Sequence, residues 1–259
     1  MFVLPTFNLG VVGSPTVPPF TNSNSVKLDG SNDYVDISGV SSSLNSASAF
    51  TISLWYKTSQ TSKGLIGGGT SSSNAFWIFR TSTSRLLFNV RNGASTYLIA
   101  NGSNPNNAWN HVVAIANGSS SSVYINGSQV VTGTLPSLSS TGANNTAIGY
   151  IPPLGYNINA YIDEVGIWDS ALSASDVAAL RDTSGSNPVP TDISSLSPIG
   201  WWRMGDGSDG SGNNDGTVVG GLPQIYNVAT DGSGNRITGI DGSMTNITSP
   251  DGIVADVPS

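Results

Sequence analysis

The chain of 259 residues contains no cysteine, a single histidine and few charged residues. Without cysteine, the protein has neither disulfides nor thiol chemistry. Charged side chains make up only 10% of the sequence, so disorder driven by charge repulsion is not expected. The net charge is −7, and clustered basic residues are missing, which argues against nucleic acid as a partner.

Long apolar runs are also absent. No segment reaches the roughly 18 apolar residues of a membrane-spanning helix, so membrane insertion is not expected. Residues 1–25 are apolar, but four prolines interrupt them and no basic residue precedes the apolar run, unlike a signal peptide. Repeated X-Pro bonds favour extended backbone, which predicts an extended N-terminal arm.

Glycine, serine and asparagine are abundant, and the six tryptophans and eight tyrosines supply large side chains for a core. Between residues 26 and 182, short apolar runs alternate with Gly, Ser and Asn clusters. This pattern predicts an all-β domain, an antiparallel sandwich of two sheets. The predicted strands are residues 25–28, 34–37, 50–57, 64–67, 75–80, 85–91, 96–100, 109–116, 121–125, 128–132, 146–150 and 160–168.

Two local motifs are specific. The dipeptide Asn126-Gly127 between two apolar runs predicts a type I′ hairpin, because both turn positions must tolerate positive φ. Ser173, followed three residues later by Asp176, predicts the capped start of one short helix. Residues 183–259 are rich in glycine and aspartate and too poor in apolar residues for a core of their own, so they must pack on another surface.

Four stretches occur in order across residues 26–182, namely SVKLDGSNDYVDI, FTISLWYK, WNHVVAIANGSSSSVYINGSQV and YIDEVGIWDSALSASDVAAL. Together they resemble the laminin-G-like family, of the group found in bacterial surface proteins and phage particles. The resemblance implies a concanavalin-A-like jelly-roll sandwich of two antiparallel sheets.

The C-terminal segment carries a second part of this resemblance. Many laminin-G-like domains begin with a strand of the type WRMGDG, then an Asp-x-Ser-Gly-Asn turn and a Met-Thr-Asn stretch. In this chain the similar residues, 201–207, 231–235 and 244–246, follow the domain instead. The resemblance therefore implies a permuted order, in which residues 183–259 complete their own sandwich or that of a neighbouring copy.

The resemblance also implies a structural calcium site between a loop and a later strand. The corresponding residues are Asp29, Asn32, Asp33, Asp163 and Glu164. Carboxylate and amide oxygens are the ligands that Ca²⁺ prefers. The alternative is that Asp29 and Asp33 only form a turn and that Asp163 only caps a buried loop.

Catalytic motifs are lacking. Glycosidases use two carboxylates that flank the scissile bond, and the related enzymes of this fold carry closely spaced glutamates. Glu164 is the only glutamate of the chain, and His111 lies within an apolar run where a buried structural histidine is the ordinary outcome. The sequence therefore predicts a protein that is not an enzyme.

Glycan binding is compatible with the aromatic content. Most tryptophans and tyrosines of a sandwich lie in the core or cover a sheet. The stretch IPPLGYN is the exception, because its prolines and glycine predict an exposed loop. The candidate glycan-binding residues are Tyr150, Tyr156 and Asn157.

These features favour a phage virion structural protein that decorates or cements the capsid or lies on the tail surface. Its expected partners are other virion proteins, further copies of itself as a homo-oligomer and host-surface glycans, and its expected location is the virion surface. The main alternative is a secreted bacterial adhesin or carbohydrate-binding module at an extracellular location. A third possibility is a degenerate glycanase. Fold resemblance alone does not separate them.

Overall fold

The computed structural model describes residues 24–71, 74–138, 145–204, 217–220 and 224–227. Apart from its last two residues, the predicted N-terminal arm lies outside them. The strands are β1 Asn24–Asp29, β2 Tyr34–Asp36, β3 Phe50–Lys57, β4 Lys63–Ser71, β5 Asn74–Ser82, β6 Arg85–Asn92, β7 Ala94–Asn101, β8 Asn110–Ala116, β9 Ser121–Ile125, β10 Ser128–Gly133, β11 Ala147–Ile148, β12 Tyr150–Ile151, β13 Tyr156–Asn157, β14 Asn159–Trp168, β15 Arg181–Asp182, β16 Val189–Pro190, β17 Gly200–Trp202, β18 Thr217–Val219 and β19 Gln224–Asn227. The helices are α1 Ser41–Ser46 and α2 Ala174–Ala179.

The strands form two main antiparallel sheets. The eight-stranded sheet has the order β10-β9-β8-β3-β14-β1-β19, and β17 also pairs with β14. The seven-stranded sheet has the order β18-β2-β11-β4-β5-β6-β7. The pairs β12–β13 and β15–β16 form separate two-stranded ribbons. The predicted all-β, two-sheet antiparallel fold is confirmed.

Alternation along β3 shows how the sequence builds the core. Ile52, Leu54 and Tyr56 point inward and are fully buried among the apolar side chains of both sheets. Successive side chains of a strand point to opposite faces, so Ser53 and Trp55 lie on the outer face of the eight-stranded sheet. They are buried too, because later parts of the chain cover that face.

Both specific local predictions are present in the structure. Asn126 and Gly127 have φ of 51° and 84° and join β9 to β10. Ser173 caps α2, since its side chain accepts a hydrogen bond from the Asp176 N–H while the Asp176 carboxylate accepts one from the Ser173 N–H. Helix α2 then packs Val177 against the outer face of the eight-stranded sheet.

One predicted strand, residues 146–150, is divided into β11 and β12 at Gly149. Gly149 has a φ of 81°, and a Cβ at this position would overlap the Leu28 side chain. The chain can therefore turn there, so that β11 stays in the seven-stranded sheet and β12 leaves it to form the ribbon with β13. The pattern of apolar residues gave no sign of this change of direction.

The C-terminal segment adds strands to the sheets of its own chain. β17 pairs with β14, β18 with β2, and β19 with β1. β1 and β17 lie one after the other along the same side of β14, opposite residues 159–162 and 165–167. The other parts of the permuted motifs lie outside the described residues. Within the described part of the chain, no helix is long and apolar enough to cross a membrane.

Candidate functional site

The first half of the predicted calcium site is the turn that follows β1. The Ser31 N–H donates to Asp29 Oδ1 at 2.7 Å, and the Asp29 N–H donates to Asp33 Oδ2 at 3.2 Å. Asp29 and Asn32 are exposed, whereas Asp33 is buried. The hydrogen bond from Ser31 is the main cause that lowers the pKa of Asp29, so this carboxylate is charged at neutral pH. Both carboxylates stabilise the turn through the backbone.

The second half, Asp163 and Glu164, lies elsewhere. Asp29 pairs with Asn159, and Asp163 lies four residues further along β14. Strand geometry therefore places Asp163 about 13 Å along β14 from the residue opposite Asp29. The described residues contain no group of three or more acidic or histidine side chains that could hold a metal ion. The structure does not bring the five predicted ligands together, and calcium binding stays a prediction.

Asp163 and Glu164 form a buried pair at a bulge of β14, between the ends of β1 and β17. Glu164 has a φ of 44°, and its N–H donates to Asp163 Oδ1 at 2.8 Å. The Trp201 indole N–H donates to one Glu164 carboxylate oxygen, and Arg203 Nε lies 3.3 Å from the other. Burial and the neighbouring Asp163 raise the pKa of Glu164 to about 8. The pair thus joins the C-terminal segment to β14.

His111 lies on the outer face of the eight-stranded sheet and is 1% exposed. Its ring stacks on Trp55 with centroids 4.8 Å apart, and its Nε2 lies 2.8 Å from the Ser53 hydroxyl. Burial, and secondarily the charge of Arg181, lower the pKa of His111 to about 3. The ring is therefore neutral and enclosed, as expected for a structural histidine.

The predicted glycan-binding residues lie together on the β12–β13 ribbon. Tyr150 pairs with Asn157 and stacks on Tyr34, with ring centroids 5.0 Å apart. Tyr156 is 41% exposed and lies 5.8 Å from Phe79, centroid to centroid. Between them, Ile151 is fully buried against β4, where a Cβ on Gly64 would overlap it. The glycines of β4 therefore let the ribbon lie flat on the seven-stranded sheet.

Beside the ribbon, the outer face of the seven-stranded sheet is exposed along β7, whereas Trp77 and Asn89 on β5 and β6 are buried. We call this surface the open face; two rows cross it from β5 over β6 to β7. The first row consists of Trp77, Asn89 and Tyr97, and the second row consists of Phe79, Leu87 and Ile99. Tyr97 and Ile99 are 52% and 39% exposed. Among the described residues, all four exposed large hydrophobic side chains belong to this face or to the ribbon on it: Tyr97, Ile99, Leu154 and Tyr156.

Sequence reasoning did not select the open face. The sequence pattern does not distinguish Tyr97 from the aromatic side chains that lie in the core or cover a sheet. A usable signal exists in the strand Ala94–Asn101, where Tyr97 and Ile99 alternate with the buried residues Leu98 and Ala100. That alternation gives the two faces of the strand, but only the structure shows that nothing in the described chain covers the outer one.

Comparisons with known proteins agree with this architecture. The chain is similar to the heptameric SAP-like pentraxin of Limulus polyphemus, with 12% identity, 80% of this chain and 94% of that chain covered, and a TM-score of 0.50. It is also similar to a putative carbohydrate-binding protein of Bacteroides ovatus, with 15% identity, 81% of this chain and 61% of that chain covered, and a TM-score of 0.54. At such identities the likeness concerns the fold alone. No curated protein matches the sequence.

A family model gives the assignment directly. The model Laminin_G_3, described as the concanavalin A-like lectin/glucanases superfamily, matches residues 29–178. The match begins at the end of β1 and ends within α2, so it includes most of both sheets. Since it spans more than half of the sequence, the chain belongs to the Laminin_G_3 family of the concanavalin A-like lectin/glucanases superfamily.

Proposed function

We propose that the protein is a non-catalytic glycan-binding subunit displayed on the surface of a phage particle, where it decorates the capsid or the tail. The observation that carries the glycan-binding part is the open face with its exposed aromatic side chains. The family assignment supports it, because the superfamily description names lectins together with glucanases.

The chemistry of the open face suits a saccharide. Binding sites for small molecules combine aromatic and aliphatic walls with a few polar groups. Tyr97 and Tyr156 offer exposed rings for the C–H faces of a sugar, and each has a hydroxyl at its edge. The amide of Asn157, on the half-buried edge of the adjoining ribbon, supplies a polar group beside the Tyr156 ring. Exposed apolar surface of this kind marks an interaction site.

The acidic residues support binding rather than turnover. A glycosidase needs two carboxylates on either side of the bond, about 5 to 9.5 Å apart. Glu164 is the only glutamate, and its oxygens are engaged by Trp201 and Arg203 in a buried site. Its neighbour Asp163 is fully buried. A polysaccharide cannot reach these two carboxylates without opening the contact between β14 and β17.

A glycan array of the isolated protein tests the binding proposal. We expect the wild-type protein to bind glycans of the array. The double variant Tyr97→Ala/Tyr156→Ala should bind them with an affinity about tenfold or more lower, since two stacking contacts are removed. The matched control is Tyr161→Ala, which removes a tyrosine of the eight-stranded sheet that lies near Lys27 and Lys57. Equal affinity of the double variant and the wild-type protein would contradict the proposal.

The virion part of the proposal is supported by the sequence, through the resemblance to particle proteins and the N-terminal arm that the sequence predicts to be extended. Mass spectrometry of purified virions tests it, and we expect peptides of the chain at a constant ratio to the capsid protein. The alternative, a secreted adhesin or carbohydrate-binding module, predicts the chain in particle-free medium or on bacterial cells. A chain absent from purified virions would exclude the proposal.

Structural calcium is a further part of the proposal, restricted to the turn of residues 29–33. A chelator should then lower the melting temperature, and added calcium should restore it, because a ligand that binds only the folded state stabilises it. Asp29→Asn should reduce the response. Elemental analysis without calcium, together with an unchanged melting temperature, would rule the ion out.

A further inference from the structure

Acidic residues are missing from the part of the sequence that builds the open face. All 16 aspartates and glutamates lie in residues 1–36 and 163–259, so residues 37–162 contain none. That stretch includes β3 to β13, and with them the open face and its ribbon. Its basic residues are Lys57, Lys63, Arg80, Arg85 and Arg91.

Three of these basic residues lie at the open face. Along β6, Leu86, Phe88 and Val90 point into the core. Successive side chains alternate, so Arg85 and Arg91 lie on the outer face, about 20 Å apart along the strand. Lys63, at the start of β4, has its Nζ 5.8 Å from the centre of the Tyr156 ring. Cations therefore lie on several sides of the exposed aromatic side chains.

These cations are available to a ligand. Arg85 is exposed, and Lys63 and Arg91 are half-buried. The Arg85 Nε donates to Asn101 Oδ1 at 3.3 Å, and the terminal nitrogens of its guanidinium carry further N–H donors. Among the described residues, no carboxylate forms an ion pair with any of the three.

The nearest acidic residue within the described strands of this sheet is distant. It is Asp36 on β2, which β11, β4 and β5 separate from β6 by about 19 Å in total. On the opposite side of the sandwich, Asp176, Asp182 and Asp192 belong to residues 174–196, which pack on the eight-stranded sheet. In the described part of the chain, the open face thus has basic groups alone. This difference orients an approaching polyanion toward the open face, although the whole chain has a net charge of −7.

The spacing of the cations favours a polymer with widely spaced charges. Duplex DNA carries one phosphate charge about every 1.7 Å of its axis and is bound by clustered basic residues. On the open face, Arg85 and Arg91 are about 20 Å apart, with Leu87 between them and Tyr97 on the next strand. In an acidic polysaccharide, uncharged ring faces separate the carboxylates. That order of charged and apolar groups matches the face.

We propose that the glycan bound on the open face is an acidic polysaccharide in which neutral sugars separate the uronates. Its carboxylates pair with Lys63, Arg85 and Arg91, and its rings lie on the exposed aromatic side chains. A guanidinium suits a carboxylate because it can donate two hydrogen bonds to it. The inference rests on the proposed glycan binding and adds the charge and the charge spacing of the ligand.

The experiment measures the affinity of the full chain for hyaluronan and for deacylated gellan by calorimetry. Both polymers separate their uronates by neutral sugars. The carboxyl-reduced form of each polymer has the same backbone without the charge. We expect binding of at least one acidic polymer, about tenfold or more weaker binding of its reduced form, and an affinity that falls as the salt concentration rises.

Variants assign the effect to the open face. Lys63→Gln/Arg85→Gln should weaken binding of the acidic polymer about fivefold or more, and should leave binding of the reduced polymer unchanged because the aromatic contacts remain. The matched control is Lys27→Gln/Lys57→Gln, which changes the net charge equally beside Tyr161 on the other sheet. The control should stay within about twofold of the wild-type protein, and melting curves check that both variants are folded.

Three results would overturn the inference. The first is equal affinity for an acidic polymer and its reduced form. The second is an equal loss in the two double variants, which would show a general effect of net charge. The third is binding of single-stranded DNA as tight as that of the acidic polymers, which would show a general polyanion surface.

Failure of this inference differs from failure of the proposed function. If neither acidic polymer binds, while neutral glycans of the array bind and depend on Tyr97 and Tyr156, the open face is a glycan site and only the acidic ligand is rejected. If no glycan of the array and neither polymer binds, the proposed function fails as well.

Discussion

The two outer faces of the sandwich differ in what covers them. On the eight-stranded sheet, Val113 and Ile115 are buried beneath α2 and the segment that leads to β17. Trp168 lies among them, 1% exposed, and its indole N–H donates to the Leu196 carbonyl at 2.9 Å. We call this surface the covered face. On the open face, by contrast, Tyr97 is 52% exposed.

Under the proposed function, the covered face contributes to stability and the open face to recognition. The chain after β14 packs on the covered face and forms a second apolar cluster around Trp168 and Trp201. Among the described residues, the open face is covered by the short ribbon around Ile151, which buries a smaller cluster with Ala75 and Trp77. Substitutions on the covered face should therefore affect folding, and those on the open face should affect binding.

The largest expected effect comes from comparing the removal of one aromatic ring on the covered face with the removal of one on the open face. Trp168→Ala should lower the free energy of unfolding by about 3 to 5 kcal/mol, because it removes a fully buried ring and leaves a cavity. Tyr97→Ala should lower it by about 0.5 kcal/mol, since its ring is half exposed. Urea unfolding measures both. Similar losses in the two variants would remove the distinction between the faces.

The pH dependence of stability tests the contact between β14 and β17, at the margin of the covered face. Glu164 has a pKa of about 8 in the folded protein and an ordinary value of 4.5. Between these values the unfolded chain releases the proton while the folded protein retains it. This group therefore makes stability fall as pH rises from about 4.5 to about 8, by on the order of 2 to 4 kcal/mol.

Glu164→Gln should flatten that decline, because the variant does not titrate while an oxygen remains for the Trp201 indole. Denaturant unfolding at several pH values measures how the free energy of unfolding changes with pH. The aspartates whose pKa is lowered, such as Asp176 and Asp192, titrate at lower pH and do not interfere in this range. Parallel slopes in the wild-type protein and Glu164→Gln would show that Glu164 is not the responsible group.

A smaller effect than those of Trp168→Ala and of Glu164 titration is expected for the cap of α2, which holds the helix on the covered face. Ser173→Ala removes the side-chain acceptor of the Asp176 N–H and should lower the free energy of unfolding by about 1 kcal/mol. Ser186→Ala, an exposed serine in the loop between β15 and β16, should change it by less than about 0.5 kcal/mol. Thermal unfolding compares the two, and equal values would mean that the cap does not contribute.

Elements with a local cause were predictable. The alternation in FTISLWYK, the Asn126-Gly127 turn and the Ser173 cap depend on residues within a few positions of each other, and all three occur in the structure. The family resemblance extended these elements to the correct fold. Helix α1, Ser41–Ser46, was not predicted, because its run of serines favours turns as much as helix.

The candidate sites were less predictable. The calcium prediction placed Asp29 beside Asp163 through the resemblance alone, whereas the register of β1 on β14 separates them. The contact of Arg181 with Trp55 joins residues that are far apart in the sequence, so no local pattern predicts it. Such contacts depend on how strands and ribbons are placed, and single-sequence patterns do not contain that information.

The sequence by itself determined the two-sheet sandwich, since its many short apolar runs with period two must bury one face and the single short predicted helix is too small to cover a sheet. The tertiary structure alone decided which outer face is covered and which stays open. That outcome depends on where α2 and the C-terminal strands pack after the sheets have formed. Val177 of α2 and Trp201 of β17 pack against Trp168 of β14, and these contacts cover the eight-stranded sheet.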